Sequence, residues 1–108
     1  MKRILLLHAI AFVQALSQTA TIVGKVTEGQ TNSPLPGATI LVVSTTRGAS
    51  ANQNGEFRIV GVEPGTYLVS ISALGYARQS RAVSIAKSET FILNFSLAPD
   101  ALNLEEVT

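Results

Sequence analysis

The chain has 108 residues, with 8 Lys+Arg against 7 Asp+Glu, 1 His and no Cys. That length holds one compact domain, and at 46% hydrophobic and 14% charged residues the chain is expected to fold rather than stay disordered. A formal charge of +1 leaves no basic footprint for nucleic acid, and the lack of Cys excludes disulfides, thiolate zinc sites and a cysteine nucleophile.

Met1-Lys2-Arg3 is a short basic start, and the run from Ile4 to Val13 is apolar except for His8. Ala15-Leu16-Ser17 then places small residues at its first and third positions. This is the three-part layout of a secretory signal peptide over residues 1–17, a helix that export removes. Its apolar stretch is shorter than the roughly 20 residues a bilayer-spanning helix needs. Cleavage is expected after Ser17, with Ala20 as the second choice. No Cys follows the apolar run, so a lipid-anchored start is excluded. Cleavage removes Lys2, Arg3 and His8, which leaves Lys25, Arg47, Arg58, Arg78, Arg81 and Lys87 against all seven acids. The remaining chain lacks His, so a Ser-His-Asp triad is impossible and the usual metal ligands shrink to carboxylates. No cofactor and no catalysis are expected. An exported chain without disulfides is ordinary for a bacterial envelope protein.

From Thr19 onward the apolar residues alternate, bounded by Gly, Pro and Asn. Ile22, Gly24 and Val26 share one face of a first strand. The polar loop 28–33 holds a single carboxylate, Glu28, among amides and hydroxyls, which suits solvent better than calcium. Pro34-Leu35-Pro36-Gly37 stiffens the entry to a second strand, and Leu35 is expected to plug one end of the core. Ala38, Ile40 and Val42 form that strand's inner row. A short polar strand over 46–51 leads to Asn52-Gln53-Asn54-Gly55, which reads as a tight hairpin turn because Asn and Gly tolerate positive φ. Phe57 and Ile59 face inward on the next strand. Pro64-Gly65 is a turn pair. Tyr67, Val69, Ile71 and Ala73 then make the clearest alternation. Val83 and Ile85 mark a sixth strand, and Phe91, Leu93, Phe95 and Leu97 form one last inward row.

The fold class expected is therefore all-β: a Greek-key β-sandwich of about seven strands, prealbumin- or Ig-like, with a half-open barrel as the structural alternative. Phe57, Tyr67, Phe91 and Phe95 would carry much of the packing, so Phe95→Ala and Ile71→Ala are expected to be damaging. Tyr76 with Arg78 and Arg81 offers a small basic–aromatic spot, the one place for a weak glycan contact in a chain with no Trp. The tail from Pro99 onward reads either as a frayed acidic end or as a linear peptide that pairs with another protein's sheet edge.

The motifs Gly24-Lys25-Val26, Pro34-Leu35-Pro36-Gly37-Ala38-Thr39-Ile40, Asn52-Gln53-Asn54-Gly55-Glu56-Phe57, Pro64-Gly65-Thr66-Tyr67 and Leu74-Gly75-Tyr76 resemble, in that order, the carboxypeptidase-regulatory-like domain. The resemblance covers about residues 20–98 and implies a prealbumin-like sandwich over 18–98, followed by a tail over 99–108. Where members of that family often carry Thr-Asp, this chain has Ala51-Asn52, which weakens any cation site there. Signal peptide, domain and the segment Leu104, Glu105, Glu106, Val107 and Thr108 together resemble the N-terminus of TonB-dependent outer-membrane receptors of the SusC nutrient-importing type. The resemblance implies a periplasmic location and a TonB-type energy-coupling protein as partner of residues 104–108. It also implies a plug and a barrel further along, so the chain is expected to be a fragment or truncated product of such a receptor. The competing reading is a stand-alone exported module that binds carbohydrate or a surface polymer.

Overall fold

The computed structural model describes residues 18–100; the expected signal-peptide helix and the segment 104–108 lie outside the described residues. Eight strands follow in chain order: β1 (Ala20–Glu28), β2 (Thr39–Val42), β3 (Gly48–Ser50), β4 (Glu56–Val62), β5 (Gly65–Ser72), β6 (Gln79–Ile85), β7 (Thr90–Ile92) and β8 (Phe95–Leu97). No helix occurs among the described residues. One sheet has the order β4-β1-β7, with β8 also on β1, and the other has the order β3-β2-β5-β6. The chain passes between sheets at the β1–β2, β3–β4, β4–β5 and β6–β7 connections.

The period-two pattern explains each layer. Ile22 and Val26 of β1, Phe57 and Ile59 of β4, and Phe95 and Leu97 of β8 face Ile40 and Val42 of β2, Val69 and Ile71 of β5, and Val83 and Ile85 of β6 in one core. Their intervening neighbours point to solvent, as expected for sheets with one wet face. The core is rich in β-branched residues, which fit a pleated surface and hold few rotamers. Leu35 packs against this core from the loop after β1, and its N–H donates to the Val26 carbonyl at 3.1 Å.

Two expectations need correction. The last inward row is two short strands rather than one, so the sandwich has eight strands where about seven were expected. Both run parallel to β1, with Val23 opposite Ile92 and Val26 opposite Phe95. Between them the Lys25 N–H donates to the Asn94 side-chain Oδ1 at 3.0 Å instead of to a backbone carbonyl. The Leu93 carbonyl fills the place where a β-carbon on Gly24 would stand, only 1.7 Å from that ideal position. The side-chain row is therefore continuous while the backbone ladder is interrupted.

The second correction concerns residues 52–55. They do form a tight turn, with Gly55 at φ 77° and the Asn52 Oδ1 accepting from the Asn54 and Glu56 N–H groups. However, β3 and β4 lie in different sheets, so the turn is a corner between layers and not a hairpin. The Gly55 carbonyl accepts from the Val26 N–H at 2.7 Å, which pins the corner to β1.

Candidate functional site

Only the root of the segment 104–108 can be placed. After β8 the chain is fastened to the 75–77 loop. The Ala77 N–H donates to the Ala98 carbonyl at 2.9 Å, Tyr76 and Pro99 form an antiparallel bridge, and the Asp100 N–H donates to the Gly75 carbonyl at 3.1 Å. Gly75 sits at φ 85°, a conformation that favours glycine. Tyr76 packs half-buried against the core at this strap. The departure point of the C-terminal segment is thus built into the fold.

The same antiparallel approach of residues 75–81 to 94–100 continues on side chains. The Gln79 Nε2 donates to the Ser96 carbonyl at 2.7 Å, and the Arg81 Nη1 donates to the Asn94 carbonyl at 3.0 Å. Two long polar side chains of β6 therefore cap the outer edge of β8. Covering a strand edge in this way discourages unwanted pairing. The Arg81 guanidinium carbon also lies 4.9 Å from the centroid of the Phe95 ring, a cation–π arrangement.

The structure thus rearranges the basic–aromatic spot expected around Tyr76. Arg81 stacks on Phe95, not on Tyr76, and Tyr76 bridges Pro99 instead of standing free. Among the described residues Phe57 and Phe95 are buried and Tyr67, Tyr76 and Phe91 are half-buried.

Beside this seam lies a recess of about 370 Å³ lined by Lys25, Thr27, Arg81, Asn94, Phe95 and Ser96. Sequence reasoning did not find it. Its residues come from β1, β6, β8 and the link between β7 and β8, and the one available signal was the outward row Asn94 and Ser96. A shallower depression of about 610 Å³ spreads from Lys25 over Val23, Arg58 and Ile92 toward Asn52.

The side-chain acceptors of both polar loops are engaged by their own loops, Asn52 in the one and Glu28 in the other. The Glu28 Oε1 accepts from the Gln30 N–H at 3.1 Å and from both the N–H and the hydroxyl of Thr31 at 2.8 Å. The loop 28–33 was expected to be simply solvated, yet it is organised around this carboxylate, which is itself only 9% exposed. Among the described residues no group of three or more His, Cys, Asp or Glu could hold a metal. The hydroxyl and N–H of Thr31 hold the Glu28 carboxyl below its usual range; burial opposes them, and the Gln30 N–H adds the smallest contribution.

A lowered folded-state pKa stabilises the fold above the unfolded glutamate value of about 4.3, and this contribution is lost as pH falls through the folded value. Glu28→Gln keeps an acceptor oxygen but no titration. We expect the variant's urea midpoint to fall less than the parent's between pH 7 and pH 3. Equal losses would mean that Glu28 is not a source of the acid sensitivity.

No curated protein matches the chain. Among solved structures it is similar to a chain of a type II cohesin–X–dockerin complex from Acetivibrio cellulolyticus, at 30% identity and TM-score 0.59, over 70% of this chain and 52% of that one. It is also similar to the group B streptococcus pilus 2b backbone protein (17%, TM-score 0.60, 78% and 42%). A third likeness is to a candidate carbohydrate-binding protein from Bacteroides uniformis (20%, TM-score 0.56, 74% and 41%). The chain spans about half the length of the first of these structures, 52%. The last two likenesses show a shared β-sandwich fold. The family model described as the CarboxypepD_reg-like domain matches residues 22–108. That match takes in all of the described sandwich except the start of β1, and the chain belongs to the CarboxypepD_reg-like domain family.

Proposed function

We propose that this domain is a non-catalytic scaffold at the periplasmic front of a TonB-dependent outer-membrane receptor, and that it presents residues 104–108 to a TonB-type energy-coupling protein. The strap at Ala98, Pro99 and Asp100 carries the reading. A segment that is to be grasped and pulled needs a fixed root, and backbone hydrogen bonds to the 75–77 loop supply one. Beyond that root, Leu104 and Val107 flank the acids Glu105 and Glu106, a short acidic–apolar segment that can add as a strand to a partner's sheet edge, one apolar residue on each face. Backbone bonds would give affinity there, and side-chain pockets would give selectivity. The likeness to a chain found in a cohesin–X–dockerin complex supports a protein-facing role for such a sandwich.

The test is a calorimetric titration of the chain against the purified periplasmic domain of a TonB-type protein. A micromolar Kd is expected, weakened about tenfold or more when the chain is cut after Asp100. Equal binding by both forms, or no binding by the intact chain, would overturn the proposal.

A further inference from the structure

The recess beside the β6–β8 seam combines hydrogen-bonding side chains with apolar surface, the Phe95 ring included. Lys25 and Thr27 reach it from the outward row of β1, Asn94 and Ser96 from the outward row around β8, and Arg81 from β6. No acidic residue lines it. Glu56 is the acid opposite Lys25 in register, but it stands on the β4 side of β1, away from β8.

Arg81 is already positioned. One of its nitrogens holds the Asn94 carbonyl, and its guanidinium carbon lies over the Phe95 ring. A guanidinium has five N–H donors in a fixed fork, so most of them remain for a ligand. Asn94 uses its Oδ1 on the Lys25 N–H, which leaves its NH2 group as the donor end of that amide. Two cations, the Asn94 amide and the Ser96 hydroxyl offer donors in one concavity, and the Thr27 hydroxyl, which donates to the Phe95 carbonyl at 3.4 Å, offers an acceptor; together they match an oxyanion with neighbouring hydroxyls. The carboxylate geometry fits an Arg fork in particular.

The kind of molecule follows from the edge. An extended acidic peptide would bind best by adding a strand to β8. Here the Asn94 and Ser96 carbonyls are already taken by Arg81 and Gln79, so strand addition at this edge is blocked. The recess, at about 370 Å³, is near the small end of ligand pockets, which start at about 300 Å³, and suits one compact polar unit. The geometry points to this recess as a binding subsite for a carboxylate-bearing sugar, a uronic acid unit. Its carboxylate lies between Arg81 and Lys25, and its hydroxyls meet Thr27, Asn94 and Ser96. This inference is independent of the role given to residues 104–108.

The test is an NMR titration of the isotope-labelled chain with glucuronate, glucose, acetate and triglutamate in separate arms. Glucuronate is expected to shift the amide signals of Lys25, Thr27, Asn94 and Ser96 with a Kd on the order of 1 mM. Acetate should be weaker, and glucose and triglutamate should leave these signals in place. Arg81→Gln is expected to weaken glucuronate binding about tenfold. Lys25→Gln, which leaves the seam intact, should weaken it severalfold and covers the case in which the first variant is misfolded. The proposal falls if glucuronate moves none of these signals, if glucose moves them equally, or if triglutamate binds more tightly than glucuronate. Unchanged affinity in Lys25→Gln together with a folded Arg81→Gln would also overturn it.

Discussion

Gly24→Ala is expected to cost on the order of 3 kcal/mol or more, because the added methyl meets backbone and cannot be accommodated by a rotamer change. Its ideal position is 1.7 Å from the Leu93 carbonyl oxygen, 2.7 Å from that carbonyl's carbon and 2.8 Å from the Phe57 Cε2. Phe57 could swing aside, but the Leu93 carbonyl could not without moving the crossing between β7 and β8. Relief requires β1 to part from that crossing. The bonds at risk are Leu93 N–H to the Val23 carbonyl at 2.8 Å and Lys25 N–H to the Asn94 Oδ1 at 3.0 Å. For a domain of this size each 1 kcal/mol lowers the Tm by about 4–8 °C, so a fall of more than about 12 °C should appear in a thermal scan. Gly37→Ala is a useful contrast. Nothing lies within 4 Å of its would-be β-carbon, although its φ of 83° still strains an alanine. Its expected cost is about 1 kcal/mol from backbone strain alone. A Gly24→Ala variant as stable as the parent would mean that the β7–β8 crossing is not as close to β1 as described.

The same glycine shows how far the sequence could be read. Its place on the inward row beside Ile22 and Val26 was legible, because alternation is a local property of a strand with one buried face. That a carbonyl from Leu93 would occupy its missing side chain was not, because the approach joins residues far apart in sequence. A glycine inside a strand often marks such an approach, yet the pattern does not name the partner. The row Phe91, Leu93, Phe95 and Leu97 misled in the same way. Side-chain alternation passed unbroken through Asn94, while the backbone ladder broke there because a side-chain amide took over one of its bonds.

Turn chemistry was legible at residues 52–55 from Asn and Gly. The direction in which the chain left the turn was not, since a corner and a hairpin use similar residues. At the site, proximity in sequence suggested Tyr76 as the ring for Arg81. The fold instead brings up Phe95, across the seam between sheets. The single carboxylate of the 28–33 loop was legible, but not what it does there. The closing of that loop on the Glu28 carboxylate depends on Thr31, three residues on, and such a local bond could have been foreseen from side-chain-to-backbone habits. What links these cases is range: local alternation and turns were visible, whereas partners across the sandwich were set by packing.

Phe95→Ala is the second large effect. The ring is 2% exposed. It lies 6.5 Å from the centroid of Phe57 at a tilt of 38° and carries Arg81 on its face at 4.9 Å. Truncating a buried phenylalanine costs about 3–5 kcal/mol through lost transfer energy and the cavity left behind. A small domain holds only about 5–15 kcal/mol in total, so the urea midpoint should fall by a large fraction or the chain should fail to fold. Phe95→Leu separates the contributions, since it keeps an apolar body of similar reach but no ring face. Its cost should be smaller, and Arg81 should lose its platform. A double-mutant cycle between Phe95→Leu and Arg81→Gln is expected to give a coupling of about 0.5–1 kcal/mol, the usual size of an exposed cation–π pair. Zero coupling would mean that Arg81 is held by the Asn94 carbonyl alone, and the recess would then lose its fixed cation. A Phe95→Ala loss below about 1 kcal/mol would be too small for a ring sealed between two sheets, and the closure of the core over β8 would have to be redrawn.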